Sequence, residues 1–186
     1  MGQQIQKAIN SIIHPQKRNV CIFGLDNAGK TTILYYMKFN KIVSTNTTKG
    51  FNLEDFQYKN IQFTAFDLQK NQNIRLMYHN YYFGCDAIVF VIDSSDIQRF
   101  NEAKDIIEFI FQDPLLKNIP LLMLANKQDR ALISIQYIQE NLKLNYIQNI
   151  QIWNIQGCST IAGLGIKEGF DWLVNILNTN PKNENK

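Results

Sequence analysis

The stretch Gly24-Leu25-Asp26-Asn27-Ala28-Gly29-Lys30-Thr31 decides how the rest of this 186-residue chain is read. It satisfies G-x-x-x-x-G-K-[ST], and its flanks supply the context which that pattern needs. Residues 19–23, immediately before it, form a short run that reads as a strand. Residues 30–38, immediately after it, carry Ile33, Leu34 and Met37 at a spacing that gives one buried helical face. Strand, glycine loop and helix in that order predict a backbone curled so that its N–H groups point at phosphate oxygens, with the positive end of a helix dipole behind them. On this reading Asp26, Asn27, Ala28, Gly29, Lys30, Thr31 and Thr32 form the phosphate site. Lys30 reaches the β and γ phosphates, and Thr31 offers its hydroxyl to Mg2+, a hard cation that takes oxygen ligands.

Outward from that loop, short apolar runs alternate with longer patterned stretches, as βα units around a mostly parallel sheet do. Residues 51–58 and 61–66 are strand-like and separated only by Lys59 and Asn60, which predicts a hairpin and an antiparallel edge. Residues 87–92 and 120–125 are apolar enough to be central strands, and 150–155 reads as the last strand. Between the central strands, 97–111 carries Phe100, Ile107 and Phe111 at helical spacing, with Pro114 as a stop. Phe170, Leu173, Val174 and Leu177 mark a closing helix over 169–177, and the polar residues 178–186 are expected to fray. The expected fold is α/β: a mostly parallel six-stranded sheet with one antiparallel edge strand and helices on both faces. The expected organisation is an N-terminal helix and linker over 1–17, one domain over 18–180, and a polar tail over 181–186.

Composition excludes several classes. With 19 basic and 16 acidic residues the net charge is +3, too weak to point to nucleic acid, so no nucleic-acid partner is expected. No apolar run approaches the roughly 20 residues that span a bilayer, and the N-terminus lacks the apolar core of a secretory signal. Cys21, Cys85 and Cys158 lie far apart in the sequence, without metal-ligand spacing and without the even count of a disulfide framework. A reducing, cytoplasmic compartment with free thiols is therefore expected.

A phosphate loop does not name the base. Asn126-Lys127-Gln128-Asp129, directly after the apolar run 120–125, fits N-K-x-D. An aspartate there accepts hydrogen bonds from both guanine N1–H and the exocyclic amine, a donor pair that adenine lacks. Asn126 and Lys127 can hold the base and pack the loop. An ATPase or phosphotransferase reading is disfavoured on this ground. Asp67, just after the second hairpin run, stands where the metal-side aspartate of a P-loop NTPase belongs and is expected to hold Mg2+ through water. Thr48, in the threonine-rich stretch before Phe51, can supply a second oxygen to Mg2+ when a γ phosphate is present.

GLDNAGKTT at 24–32, TTKGFNLE at 47–54, FD at 66–67, IVFVIDSSD at 88–96, ANKQD at 125–129 and EGFDWL at 168–173 together resemble the signatures of the ADP-ribosylation factor family of small GTPases. The likeness implies a P-loop NTPase fold of the small GTPase kind, binding GTP or GDP with Mg2+. It makes Thr48 the switch I threonine and Asp67 the opening of switch II, and it puts Ser159 and Thr160 near the guanine oxygen. Phe51, Phe66 and Tyr81 match the family's hydrophobic effector triad, Phe66 standing where tryptophan is usual. The N-terminus is similar to the family's membrane anchor: Ile5, Ile9, Ile12 and Ile13 form an apolar stripe opposite Gln3, Gln6, Lys7 and Asn10, and Gly2 is the candidate myristoylation site. Gln6 departs from the M-G-x-x-x-[ST] acylation pattern. The resemblance implies a GDP/GTP switch in vesicle and protein transport, cytoplasmic and peripheral on Golgi or other endomembranes. Its implied partners are an exchange factor, a GTPase-activating protein and coat or trafficking effectors.

The pattern breaks at one place. Where the family reads D-V-G-G-Q, this chain reads Asp67-Leu68-Gln69-Lys70-Asn71. Lys70 replaces a glycine whose backbone N–H normally meets the γ phosphate, and Asn71 is one methylene shorter than the glutamine that orients the attacking water. Lys70 and Asn71 are the candidate catalytic residues, and hydrolysis is expected to be slow. A GTP-binding scaffold that barely hydrolyses nucleotide is the rival expectation.

Overall fold

The computed structural model describes residues 16–41, 51–68 and 84–179, with the side chains of 51–53 and 66–68 left out. Gly2, the expected N-terminal helix, Thr48, Lys70, Asn71 and Tyr81 lie outside the described residues, as do the side chains of Phe51, Phe66 and Asp67. The strands are β1 (Gln16–Gly24), β2 (Phe51–Tyr58), β3 (Ile61–Leu68), β4 (Ala87–Asp93), β5 (Leu121–Asn126) and β6 (Trp153–Gly157), with α1 (Lys30–Phe39), α2 (Phe100–Ile110), α3 (Ile135–Leu142) and α4 (Ile166–Thr179) as the helices. They form a six-stranded sheet in the order β2-β3-β1-β4-β5-β6. The β2–β3 pairing is antiparallel, running from Phe51 opposite Leu68 to Tyr58 opposite Ile61, and the other pairings are parallel. This is the α/β fold that the sequence predicts, including its antiparallel edge.

Alternation along β1 explains why helices cover both faces, because successive side chains of a strand point to opposite sides. Cys21 and Phe23 join Phe90, Met123, Ile107 and Ile138 in one core, beneath α2 and α3. Val20 and Ile22 join Val89, Leu124, Ile33 and Phe170 in the other, beneath α1 and α4. β5 is buried along its whole length and β4 nearly so. Continuous apolar runs are what strands covered on both faces require.

Several boundaries differ from expectation for identifiable reasons. The predicted helix over 97–111 is a 3-10 turn, Ile97–Arg99, followed by α2. Asp96 caps that turn by accepting a hydrogen bond from the Arg99 backbone N–H at 3.2 Å. The last strand begins at Trp153 rather than 150, because Ile150 donates to the Ile147 carbonyl at 3.0 Å and so still belongs to a turn. Asn178 and Thr179, expected in the tail, complete α4. α3 was not among the predicted elements.

One expectation is overturned. Cys21 and Cys85, separated by 64 positions in the sequence, form a disulfide, with Cα atoms 6.5 Å apart; Cys158 is the free, buried thiol. Sequence distance misleads here because the chain leading into β4 runs beside β1. The Asp86 N–H donates to the Asn19 carbonyl at 2.7 Å, and the Asn19 N–H donates to Asp86 Oδ2 at 2.7 Å. Among the described residues, no helix is long and apolar enough to cross a membrane.

Candidate nucleotide site

β1 delivers the chain to Gly24 with φ 140°, and a Cβ at that position would drive into the backbone carbonyl of Val91 on the neighbouring strand. The first glycine of the motif is therefore fixed by sheet packing. Gly29 has φ 99°, and a Cβ there would meet Nδ2 of Asn126, so the second glycine is fixed by the approach of the base-side loop. Between them Asn27 takes φ 60°, a left-handed conformation that asparagine tolerates better than most residues. α1 starts at Lys30 and has no side-chain cap at its N-terminus, the end whose backbone N–H groups and positive dipole suit an anion.

Lys30 is buried, and its ammonium donates to the carbonyls of Gly24 at 3.1 Å and Leu25 at 3.0 Å, arching back across the loop. Thr31 and Thr32 follow on the first turn of α1, half-buried. Asp26, in the loop, accepts from Arg99 Nη1 at 2.9 Å, and Asp96 accepts from Arg99 Nε at 2.6 Å. The hydrogen bond to Asp96 comes first among the influences that raise the Arg99 guanidinium above its ordinary value.

The other half of the site lies at the ends of β5 and β6. Asn126 is fully buried, donates from Nδ2 to the Ala28 carbonyl at 2.8 Å, and accepts at Oδ1 from the Thr160 N–H at 3.2 Å. One amide thus ties the phosphate loop, the N-K-x-D loop and the segment after β6 together. Lys127 adopts φ 64° and donates to Asp93 Oδ2 at 2.6 Å. Burial pushes the Asp93 carboxyl upward, but hydrogen bonds from Lys127 and from both the hydroxyl and the N–H of Ser95 outweigh it and hold the group below the usual range. Gln128 donates to Ser94 Oγ at 2.9 Å.

Asp129 is exposed, and its Oδ1 accepts from Ser159 Oγ at 2.6 Å. That bond orients the carboxylate and leaves it acceptor capacity for a further donor pair. Ser159 and Thr160 are both buried. Cys158, beside them, has its thiol pushed up to about 12 by burial, which keeps it protonated and unreactive.

The predicted residues of the phosphate loop, the N-K-x-D loop and the pair Ser159 and Thr160 therefore converge at one end of the sheet. Asp93, Gln128 and Arg99 were not among the predicted site residues. The first two could have been suspected because they lie inside quoted motifs, Asp93 at the end of β4 in IVFVIDSSD and Gln128 in N-K-x-D, whereas the Arg99 contact to Asp26 spans 73 positions and leaves no local mark.

This combination of fold and site is that of a P-loop guanine-nucleotide-binding domain of the small GTPase type. The chain belongs to the ADP-ribosylation factor family, whose profile matches residues 5–177. It is 40% identical over 164 residues to ADP-ribosylation factor J of Dictyostelium discoideum, covering 88% of this chain and 87% of that one. It is 42% identical over 160 residues to ADP-ribosylation factor K of the same organism, covering 86% and 85% of the two chains. Among solved structures it is similar to the Arl6 (BBS3) small GTPase from Trypanosoma brucei with a bound nucleotide analogue, at TM-score 0.80 and 30% identity, covering 89% of this chain and 100% of that one. Members of the family are GTP-binding switches, generally hydrolyse GTP, and interact with exchange factors, GTPase-activating proteins and effectors.

Proposed function

We propose that this chain is a GDP/GTP switch that recruits effectors to membranes in vesicle trafficking, with its hydrolysis slowed by the replacements at Lys70 and Asn71. The observation that carries the nucleotide reading is the Asn126 amide, buried between Ala28 of the phosphate loop and Thr160, which sets the phosphate and base halves at a fixed separation. A guanine nucleotide suits the residues present. The curled loop at Gly24 and Gly29 leaves no room for side chains, Lys30 and the start of α1 offer positive charge, and Asp129 keeps acceptor capacity beside Ser159.

On this reading Asp26, Asn27, Ala28, Gly29, Lys30, Thr31 and Thr32 hold the phosphates. Asn126, Lys127, Asp129, Ser159 and Thr160 hold the base. Thr31, Thr48 and, through water, Asp67 hold Mg2+, which supplies charge neutralisation at the β and γ phosphates. Loss of the γ phosphate releases Thr48 and the stretch around Lys70, which is the change of shape that partners read. The G domain, which opens with β1 at Gln16, is preceded by a membrane-binding helix and linker, with Gly2 as the acylation site, and Phe51, Phe66 and Tyr81 face effectors. The protein works in the cytoplasm and on Golgi or related endomembranes.

The decisive test is competition by GDP, GTP and ATP against a fluorescent GDP analogue on nucleotide-stripped protein with Mg2+. Guanosine nucleotides should displace the probe at far lower concentration than ATP, and equal displacement would end the nucleotide reading. A second reading, a scaffold that binds GTP and hardly hydrolyses it, is favoured by Lys70 and Asn71. Single-turnover hydrolysis with and without a GTPase-activating protein separates the two.

A further inference from the structure

We propose that Cys21 and Cys85 form a thiol–disulfide exchange site, with a small thiol or disulfide of the glutathione class as reactant, whose state sets how firmly residues 84–86 are fastened to β1. The pair sits at an unusual place for a structural bridge. Cys21 is fully buried in the middle of β1, three residues before Gly24, and pairs in register with Phe66 on one side and Ile88 on the other. Cys85 lies two residues before β4 at 7% exposure, next to Gly84, which is exposed and where, among the described residues, nothing comes within 4 Å of a Cβ position. Both cysteines are buried, but Cys85, at 7% against 0% for Cys21 and beside the exposed Gly84, is the less buried, so Cys85 Sγ is assigned as the sulfur that an incoming thiolate attacks.

The exchange balances in both directions. A glutathione thiolate attacks Cys85 Sγ, the Cys21–Cys85 bond breaks, and its electron pair leaves on Cys21 Sγ, which takes a proton. A second glutathione thiolate then attacks the glutathione sulfur of the mixed disulfide and releases Cys85 as a thiol. One protein disulfide and two small thiols become two protein thiols and one small disulfide; glutathione disulfide drives the reverse. Cys158 lies in the core on the other face of the sheet from Cys21, and its raised thiol stays outside this chemistry.

Reduction does not detach the segment outright. The two hydrogen bonds between Asn19 and Asp86 at 2.7 Å each, and the Arg18–Asp86 ion pair at 3.6 Å, still hold it to β1. What reduction removes is the covalent closure of a loop spanning 64 positions, one that contains the phosphate loop and residues 67–71. Chain-entropy arguments for a closure of that length give a melting-temperature difference of roughly 10 °C between the two states. In a reducing compartment bridges of this kind are transient and respond to redox conditions, so the bridge is compatible with a cytoplasmic protein.

The site stands independently of the nucleotide reading. Full-length protein is equilibrated in buffers of graded glutathione to glutathione disulfide ratio, quenched in acid, alkylated in denaturant and weighed intact. As the buffer becomes oxidising, the chain should pass from three alkyl groups to one, and its melting temperature should rise by roughly 10 °C. Cys85→Ser should melt at the same temperature at every ratio. Three alkyl groups at all ratios would overturn the proposal, and so would a wild-type melting temperature that ignores the ratio.

Discussion

Asp129 meets solvent with one oxygen held by Ser159 at 2.6 Å, so its direction is set before any base arrives. Asp129→Ala removes the only residue assigned to the guanine donor pair and leaves those donors unpaired, which predicts a loss of GDP affinity on the order of 100-fold with ATP affinity unchanged. Titration against a fluorescent GDP analogue reads both numbers. Asp93 makes a different prediction, about stability. Its carboxyl is held below the usual range in the folded state, so its contribution is fully present above the unfolded value of about 4 and is lost as pH falls through the lower folded value. Asp93→Asn should therefore cost about 2 kcal/mol near pH 7, and the deficit against wild type should shrink in acid, as measured by denaturant melts at both pH values. The two glycines, Lys30 and Asp129 were legible in the sequence because their chemistry is local: a motif and its flanks suffice. The Lys127–Asp93 and Arg99–Asp26 pairs were not, since each depends on loops that only the folded sheet brings together.

At the scale of elements, the β2–β3 hairpin is held to α4 by aromatic packing more than by charge. Phe170 lies edge-on to Phe56 at 6.0 Å, to Phe63 at 5.8 Å and to Tyr58 at 6.4 Å, fully buried among them. The Lys59–Asp171 pair at 2.6 Å is nearly half exposed on both sides and adds little. Phe170→Ala should accordingly destabilise the domain by about 3–5 kcal/mol, whereas Lys59→Ala should change it by less than about 1 kcal/mol, both from denaturant melts. The hairpin and its two-residue turn could be read from Lys59 and Asn60 because loop length selects the connection. α3 was missed although its signals exist: Ser134 caps it by accepting from the Tyr137 N–H at 3.0 Å, and Ile138 and Leu142 are its buried face. Gln136, Gln139 and Asn141 dilute that stripe in a chain rich in such residues throughout, so a helix of eight residues did not stand out.

For the whole molecule, topology brings the motifs together: β1 lies between β3 and β4, so the phosphate loop leaves the sheet beside the end of β3. Parallel pairing sets Asp67 opposite Ile22, two residues before Gly24. Ligands of open α/β sheets bind at the carboxyl ends of the strands, and the end of β3 leads directly into Lys70 and Asn71. On the proposed reading, the two replacements that follow in the sequence act where a γ phosphate and an attacking water meet the protein. Residue chemistry alone supports this: a side chain at 70 disfavours the conformations that glycine adopts cheaply, and asparagine at 71 is one methylene shorter than a glutamine whose amide must come within about 3.2 Å of the water it orients. Restoring both, as Lys70→Gly with Asn71→Gln, should raise single-turnover GTP hydrolysis at least about tenfold while leaving GDP affinity within about threefold, because the base contacts and Lys30 are untouched. Phosphate release and probe displacement measure the two quantities on the same preparation. Equal hydrolysis rates for the double variant and wild type would mean that the stretch after Leu68 finds another way to position water, and the slow-switch reading would lose its cause.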